Sequence, residues 1–334
     1  MWQFVSCEVQ GLGHKKLQIP CQDKTYKLVK NDVYVIALAD GAGSAKLSHY
    51  GAERVVHDVS EYITEHFLEL LDCDDGRIVK KKLIEMLQVN LSDEAERRQC
   101  AIQDLASTLL FAAVHNNNFI LAHIGDGVIG YLDGEDLKVA SLPDNGEFSN
   151  VTTFVTSNEA LGVMRIFKGE LKEKCAFVLM SDGTEQSLYH KSSKKLANVV
   201  KKLMHLTCLL DREVFNNQLK KAFESVIIKN TQDDCSIAIM ARPSKVLCPI
   251  ELLNLKERRN LYKINNSTNH NKRYIYRYDA ILAFTDKPRL VRQIARNIRL
   301  RPKYTKKYVE KLVLLGLLKK QNGFYEKTKL DNIM

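Results

Sequence analysis

The chain has 334 residues, 45% hydrophobic and 27% charged, the make-up of a globular protein with room for one large core and a second small one. No apolar run approaches the roughly 18–20 residues that span a bilayer, and no basic start leads into an apolar block, so neither a membrane protein nor a secreted one is expected. The net charge of +10 is split unevenly: from Lys245 onward there are 22 Lys/Arg against 7 Asp/Glu, leaving 28 against 33 in residues 1–244. An acidic body joined to a basic end points to an anionic partner for the second part alone.

Taken in chain order, residues 32–39, 107–115, 118–124, 127–132, 176–180 and 235–241 are short apolar runs bounded by Gly, Asn and Asp, and they predict strands. The asparagines at 116–118 and the stretch DGED at 133–136 predict hairpin turns between neighbouring runs. Val55, Val56, Val59, Ile63, Phe67 and Leu71 recur at helical spacing, which predicts a helix over 47–71; residues 194–228 repeat the pattern less regularly. Strands and helices in separate runs give an α+β layered fold, antiparallel sheets with flanking helices, over residues 1–244. Residues 252–273 lose the apolar pattern, so a linker is expected over 245–273, and from 274 the pattern is helical again. Eight cysteines are scattered and form no Cys-x-x-Cys pair, which predicts reduced thiols in a cytoplasmic protein rather than zinc or disulfides.

Asp40 closes the run YVIALAD and is followed by Gly41 and Gly43. A turn explains one such acid. A hard-cation site explains it equally, because a carboxylate supplies charge and a glycine lets a main-chain carbonyl approach the same ion. Four further acidic positions have similar settings: Asp23 after IPCQ, Asp126 between Gly125 and Gly127, Asp182 before Gly183, and Asp233–Asp234 opening the run CSIAIM. If the strands pack side by side, these carboxylates gather at one edge and repel one another unless cations neutralise them. Oxygen ligands without His or Cys favour Mg²⁺ or Mn²⁺ over zinc.

In order, the motifs are GLGH…CQD (11–23), ADGAGS (39–44), ST (107–108), GDG (125–127), SDG (181–183) and DDCS (233–236). This series resembles the metal-dependent protein phosphatases of type 2C, in their compact bacterial branch, over about residues 4–241. The resemblance implies a β-sandwich flanked by helices and a cleft holding two ions, or three, of Mg²⁺ or Mn²⁺. It implies that Asp40 bridges two metals, that the Gly41 carbonyl binds one of them, and that Asp182 and Asp233 complete the first. Asp126 matches an acid that helps hold a third, weaker ion, and Asp23 serves the second directly or through water. The implied reaction is hydrolysis of a phosphoserine or phosphothreonine protein by a metal-activated water.

Three departures stand out. No Arg precedes the first acidic motif to hold phosphate, leaving His14, Lys15 or Lys16 for that place, with His14 also a candidate proton donor. Gln22 stands where a Glu often serves the second metal, and Asp234 where Asn is usual.

Residues 274–334 resemble a winged helix-turn-helix, with a second helix near 289–299, a third near 304–318 whose Leu312, Leu315 and Leu318 face the core, and a wing introduced by Asn322-Gly323. The resemblance implies duplex DNA as a partner, met by Lys303, Lys306 and Lys307 on or ahead of the third helix and by Arg292 and Arg296 on the second. A protein-docking wing is the other use of such a module. The alternative to a phosphatase is a DNA-bound regulator whose phosphatase-like body senses a ligand with little turnover.

Overall fold

The computed structural model describes residues 2–134, 136–144, 152–171, 175–210, 212–242, 253, 255–264 and 270–327, and it divides into two compact units, Met1–Arg242 and Pro243–Met334. Two five-stranded antiparallel sheets make up the first unit. One has the order β1 (Gln3–Val9), β12 (Cys235–Ala241), β9 (Cys175–Met180), β6 (Val128–Asp133), β7 (Asp136–Ser141). The other has the order β2 (Lys24–Lys30), β3 (Val33–Ala39), β4 (Leu109–His115), β5 (Asn118–Ile124), β8 (Arg165–Glu170). A short hairpin pairs β10 (Tyr189–His190) with β11 (Lys195–Leu196). Helices α1 (Leu12–Leu17), α2 (Ser48–Asp72), α3 (Gly76–Arg98), α4 (Ala160–Val163), α5 (Asp182–Leu188), α6 (Asn198–Leu209) and α7 (Arg212–Ser225) complete the unit.

Strand periodicity explains the layers. On β3, Val35, Ala37 and Ala39 face α2 and α3, while Ile36 and Leu38 face the opposing sheet. On β4, Phe111 joins the helical side, and Leu110, Ala112 and Val114 meet Phe177 and Leu179 of β9 and Met240 of β12. Each inner strand is therefore buried on both faces, which is why its sequence is a continuous apolar run rather than an alternation. On the far side of the first sheet, α7 lies on β1 and α6 on β12. The predicted strands and the 47–71 helix are present, and the 194–228 stretch resolves into β11, α6 and α7. β1, β2, β8 and α3 are additions to the predicted elements.

The hairpins keep their predicted places: Asn116 takes φ +54° between β4 and β5, and Gly134 takes φ +66° after β6. Antiparallel pairing then sets the site. Leu38 pairs with Leu110 and Leu109 with Ile124, so β3 and β5 end where β4 begins. Met180 pairs with both Val128 and Ile237, so β9 ends where β6 and β12 begin.

The second unit contains α8 (Leu255–Leu261), α9 (His270–Phe284), β13 (Arg289–Leu290), α10 (Val291–Asn297), α11 (Pro302–Leu314), β14 (Leu318–Gln321) and β15 (Phe324–Lys327), with the strands ordered β13-β15-β14. Two expectations are corrected here. Within the expected linker, α8 forms because Arg258 pairs with Asp279 at 2.8 Å, and Tyr262, fully buried, donates its hydroxyl to the same carboxylate at 2.5 Å. The third helix stops at Leu314, which is 86% exposed; Gly316 then turns the chain at φ +73°, and Leu318 is buried from β14 instead of from the helix. Leu312 faces the core as predicted, and Leu315 is half-buried. Cys248 lies outside the described residues, and among these the other seven cysteines are free thiols.

Candidate metal centre

Asp40 is the residue after β3, and its backbone is tied across to β4 on both sides. The Thr108 hydroxyl accepts from the Asp40 amide at 2.8 Å, and the Thr108 amide donates to the Asp40 carbonyl at 2.8 Å. Gly41 forms an isolated β-bridge with Ser107. A Cβ on Gly41 would lie 2.8 Å from Cβ and Oγ of Ser48, the first residue of α2, so this glycine is required by helix packing whatever the cleft binds. A Cβ on Gly43 would meet nothing within 4 Å.

The other acids arrive from four separate segments. Asp23, fully buried ahead of β2, leaves both carboxylate oxygens without a hydrogen-bond partner, and the neighbouring hydroxyls of Ser181 and Ser236 favour its ionised form. Asp126 sits in the β5–β6 turn beside Gly125 and accepts from the Thr152 hydroxyl at 2.6 Å. Asp182 opens α5 and accepts from the Gly183 amide at 2.5 Å; a Cβ on Gly183 would lie 2.1 Å from the Asp234 carbonyl oxygen. Asp233, just before β12, is 47% exposed and accepts from the Asp234 amide at 2.8 Å.

These side chains share one field. Burial lifts the Asp40 carboxyl well above the usual range, and the charges of Asp23, Asp182, Asp233 and Asp126 lift it further. Burial, then Asp234 and Asp182, push Asp23 up to about 8. Burial, then Asp126 and Asp233, push Asp182 up to about 6, against hydrogen bonds from Asp40 and the Gly183 amide that lower it. Among the described residues, no three His, Cys, Asp or Glu side chains converge as a ready-made metal cage. The donor set nonetheless fits a hard divalent cation: all the donors are oxygens, two of them buried and unpartnered on Asp23, and each acid raises the cost of ionising its neighbours.

Asp234 has a role that the sequence pattern does not reveal. It is buried, and its two oxygens accept from the backbone amides of Gly11 at 2.6 Å and Gln22 at 2.5 Å, closing the 11–22 segment onto β12. His14 lies against the same group, Nδ1 3.0 Å from Asp234 Oδ2 and Nε2 3.8 Å from Asp233 Oδ1. Gln22, also buried, gives its amide nitrogen to Ser48 Oγ at 2.6 Å. Asp234→Ala should cost about 2–6 kcal/mol, because two buried N–H groups lose their acceptor at about 1–3 kcal/mol each. Asp234→Asn, which keeps one acceptor oxygen, should cost less than half of that. Urea denaturation of the two variants checks both values.

In the second unit, Arg292 and Arg296 on α10 and Lys303, Lys306 and Lys307 on α11 are all solvent-exposed. Lys306 lies 3.7 Å from Glu310, and the hairpin of β14 and β15 turns through Asn322 and Gly323, both at positive φ.

Proteins of known structure share the fold of the first unit. The serine/threonine phosphatase of S. agalactiae superposes with a TM-score of 0.50 at 15% identity, covering 72% of this chain and 99% of that one. A bacterial serine phosphatase gives 0.52 at 14% identity, covering 72% and 98%. By sequence, serine/threonine-protein phosphatase 3 of Escherichia coli (strain K12) is 27% identical over 171 residues, 50% of this chain and 67% of that protein. The family model for protein phosphatase 2C matches residues 10–224, and the chain belongs to that family. Among the described residues, no helix is long and apolar enough to cross a membrane.

Proposed function

We propose that the chain is a Mg²⁺- or Mn²⁺-dependent serine/threonine phosphoprotein phosphatase, catalytic over residues 1–244, followed by a second unit that carries a DNA-binding winged helix over 274–334. The observation that carries this reading is the gathering of Asp23, Asp126, Asp182 and Asp233 around the Asp40 carboxyl at one end of the sandwich. Asp40 and the Gly41 carbonyl would hold two ions, with Asp182 and Asp233 completing one, Asp23 serving the other and Asp126 a third. Bound there, the ions would acidify the attacking water and offset charge building on the phosphoryl oxygens. His14 stands with Nδ1 3.0 Å from Asp234 Oδ2, and Nε2 is the atom that would return a proton to the departing serine or threonine oxygen. The second unit supports the DNA reading through its helix–strand–helix–helix–hairpin order and its exposed cations.

Gln22, committed to Ser48, favours a second reading: a cytoplasmic DNA-bound regulator that keeps the cleft for sensing with little turnover. One assay separates the two. Purified chain should hydrolyse p-nitrophenyl phosphate and a phosphothreonine peptide with Mn²⁺ and stop when a chelator is added. A folded chain that binds Mn²⁺ without turnover would favour the sensor.

A further inference from the structure

Against Asp233 lies an open cavity of about 610 Å³, walled by His14 and Leu17 of α1, Gln186 of α5 and Lys229, which belongs to the 3₁₀ turn Ile227–Asn230 ahead of β12. Its walls are tied together. The Gly13 amide donates to the Gln232 carbonyl at 2.9 Å, and Asn230 Nδ2 donates to Ser187 Oγ of α5 at 3.0 Å. The cavity also adjoins the acid cluster. The Ser181 amide donates to the Ser236 carbonyl at 3.2 Å and the Ser236 amide to Ser181 Oγ at 3.0 Å, which sets the start of α5, with Asp182, beside the start of β12, with Asp233. Among the described residues lining the cavity, Lys229 is the only lysine or arginine and Asp233 the only carboxylate. Lys229 and Gln186 are exposed, and Leu17 is 70% exposed.

We propose that this cavity receives the polypeptide flank of the phosphorylated residue, and that Lys229 selects substrates with an acidic side chain close to the phosphoserine or phosphothreonine. This inference rests on the phosphatase reading above and gives it a substrate class. When the bond from phosphorus to the serine or threonine oxygen breaks, that oxygen keeps the electron pair and takes a proton, and the rest of the substrate protein is attached to it. His14 Nε2, the atom assigned to that proton, lies 3.8 Å from Asp233 Oδ1. The departing oxygen, and the chain it belongs to, therefore lies on the side of the cluster where His14 stands. His14 is itself a wall of the cavity, so the flank of the substrate runs into it. There Leu17 offers apolar surface, and the Gln186 amide offers a donor and an acceptor to a peptide backbone. Asp233 is committed to the metal centre, which leaves Lys229 as the charge that a substrate side chain meets. An exposed ion pair of this kind favours a carboxylate by about two- to fivefold, and a lysine or arginine at the same place is repelled.

The test is steady-state hydrolysis, by the full chain with Mn²⁺, of phosphothreonine peptides in an alanine background. A single Glu is moved through the positions from three before the phosphothreonine to three after it. At one or more of these positions Glu should lower KM about two- to fivefold relative to Ala, with kcat within about twofold, and Lys there should raise KM. Lys229→Ala should flatten this preference. Lys229→Glu should reverse it, making the Lys peptide the better substrate, an outcome that a merely structural role for Lys229 would not produce. If Glu lowers KM at no position, or if the preference for Glu survives in Lys229→Glu, the proposal fails while the phosphatase reading stands. If the wild type hydrolyses neither p-nitrophenyl phosphate nor any of the peptides, the phosphatase reading fails and the proposal with it.

Discussion

Asp40→Asn should fold normally and lose Mn²⁺-dependent turnover by a factor on the order of 10²–10³, the scale seen when one preorganised electrostatic element of an active site is removed. The fold is retained because Asp40 is positioned through its backbone, by the Thr108 amide and hydroxyl, and an Asn makes the same bonds. Activity is lost because the charge at the centre of the acid cluster is gone. The stability of the same variant gives a second reading. Asp40, Asp23 and Asp182 all have carboxyls raised above the usual 3.8, Asp23 to about 8 and Asp182 to about 6. For a group raised in this direction, the stabilising contribution is fully present below the unfolded value and is lost as pH climbs through the folded one. In chelator, the wild type should therefore become less stable from pH 4 toward pH 8 as far as these groups are concerned. Asp40→Asn should melt above the wild type, with a margin that widens over that range, and Mn²⁺ should close or reverse it. Wild-type turnover by the Asn variant at matched Mn²⁺ would remove Asp40 from the metal site.

Duplex DNA binding should disappear completely from a chain ending at Arg242, while phosphoester hydrolysis stays near that of the full chain. Every acid of the cleft lies at or before Asp234, inside the first compact unit. The five exposed cations of α10 and α11 lie outside it. Releasing counterions from about five phosphates would give a log–log salt slope of about −4.5 for the full chain. Replacing Lys303, Lys306 and Lys307 with Ala should bring the slope to about −2 and weaken binding evenly across DNA sequences. Fluorescence anisotropy with a labelled duplex over a salt series measures both. Salt-insensitive or absent binding by the full chain would assign the second unit to protein docking instead.

Much of the first unit is legible in the sequence because its inner strands are buried on both faces and so are written as unbroken apolar runs. The elements that escape are those with mixed surroundings. α3 buries Val79, Leu83, Leu87 and Leu91, but Ile78 and Val89 point to solvent and blur its stripe. β8 is a sheet edge whose residues are half-buried or exposed, and its sequence, RIFKGE, reads as polar as a loop. Among the acids, Asp40, Asp126 and Asp182 are marked as candidates by the glycine that follows each, in a series of similar junctions. Asp234 cannot be assigned that way, since its partners Gly11 and Gln22 lie more than 200 residues away and are backbone groups. The expected linker failed because a polar segment, LKERRNLY, is held by one carboxylate, Asp279, contributed by another helix.

The place of β12 between β1 and β9 bears on how the molecule is made. Gln3 is paired with Ala241, so a chain emerging from the ribosome exposes β1 and then waits for about 230 further residues before its neighbour exists. Until then one sheet lacks its inner strand, the Gly11 and Gln22 amides lack the Asp234 carboxylate, and the acid cluster lacks Asp233. The last strand is thus both the keystone of the sandwich and the carrier of the final cleft acid. A nascent chain gathers its full charge at the acid cluster only in the step that completes its hydrogen-bonded sheet, so the cluster and the sandwich are finished together.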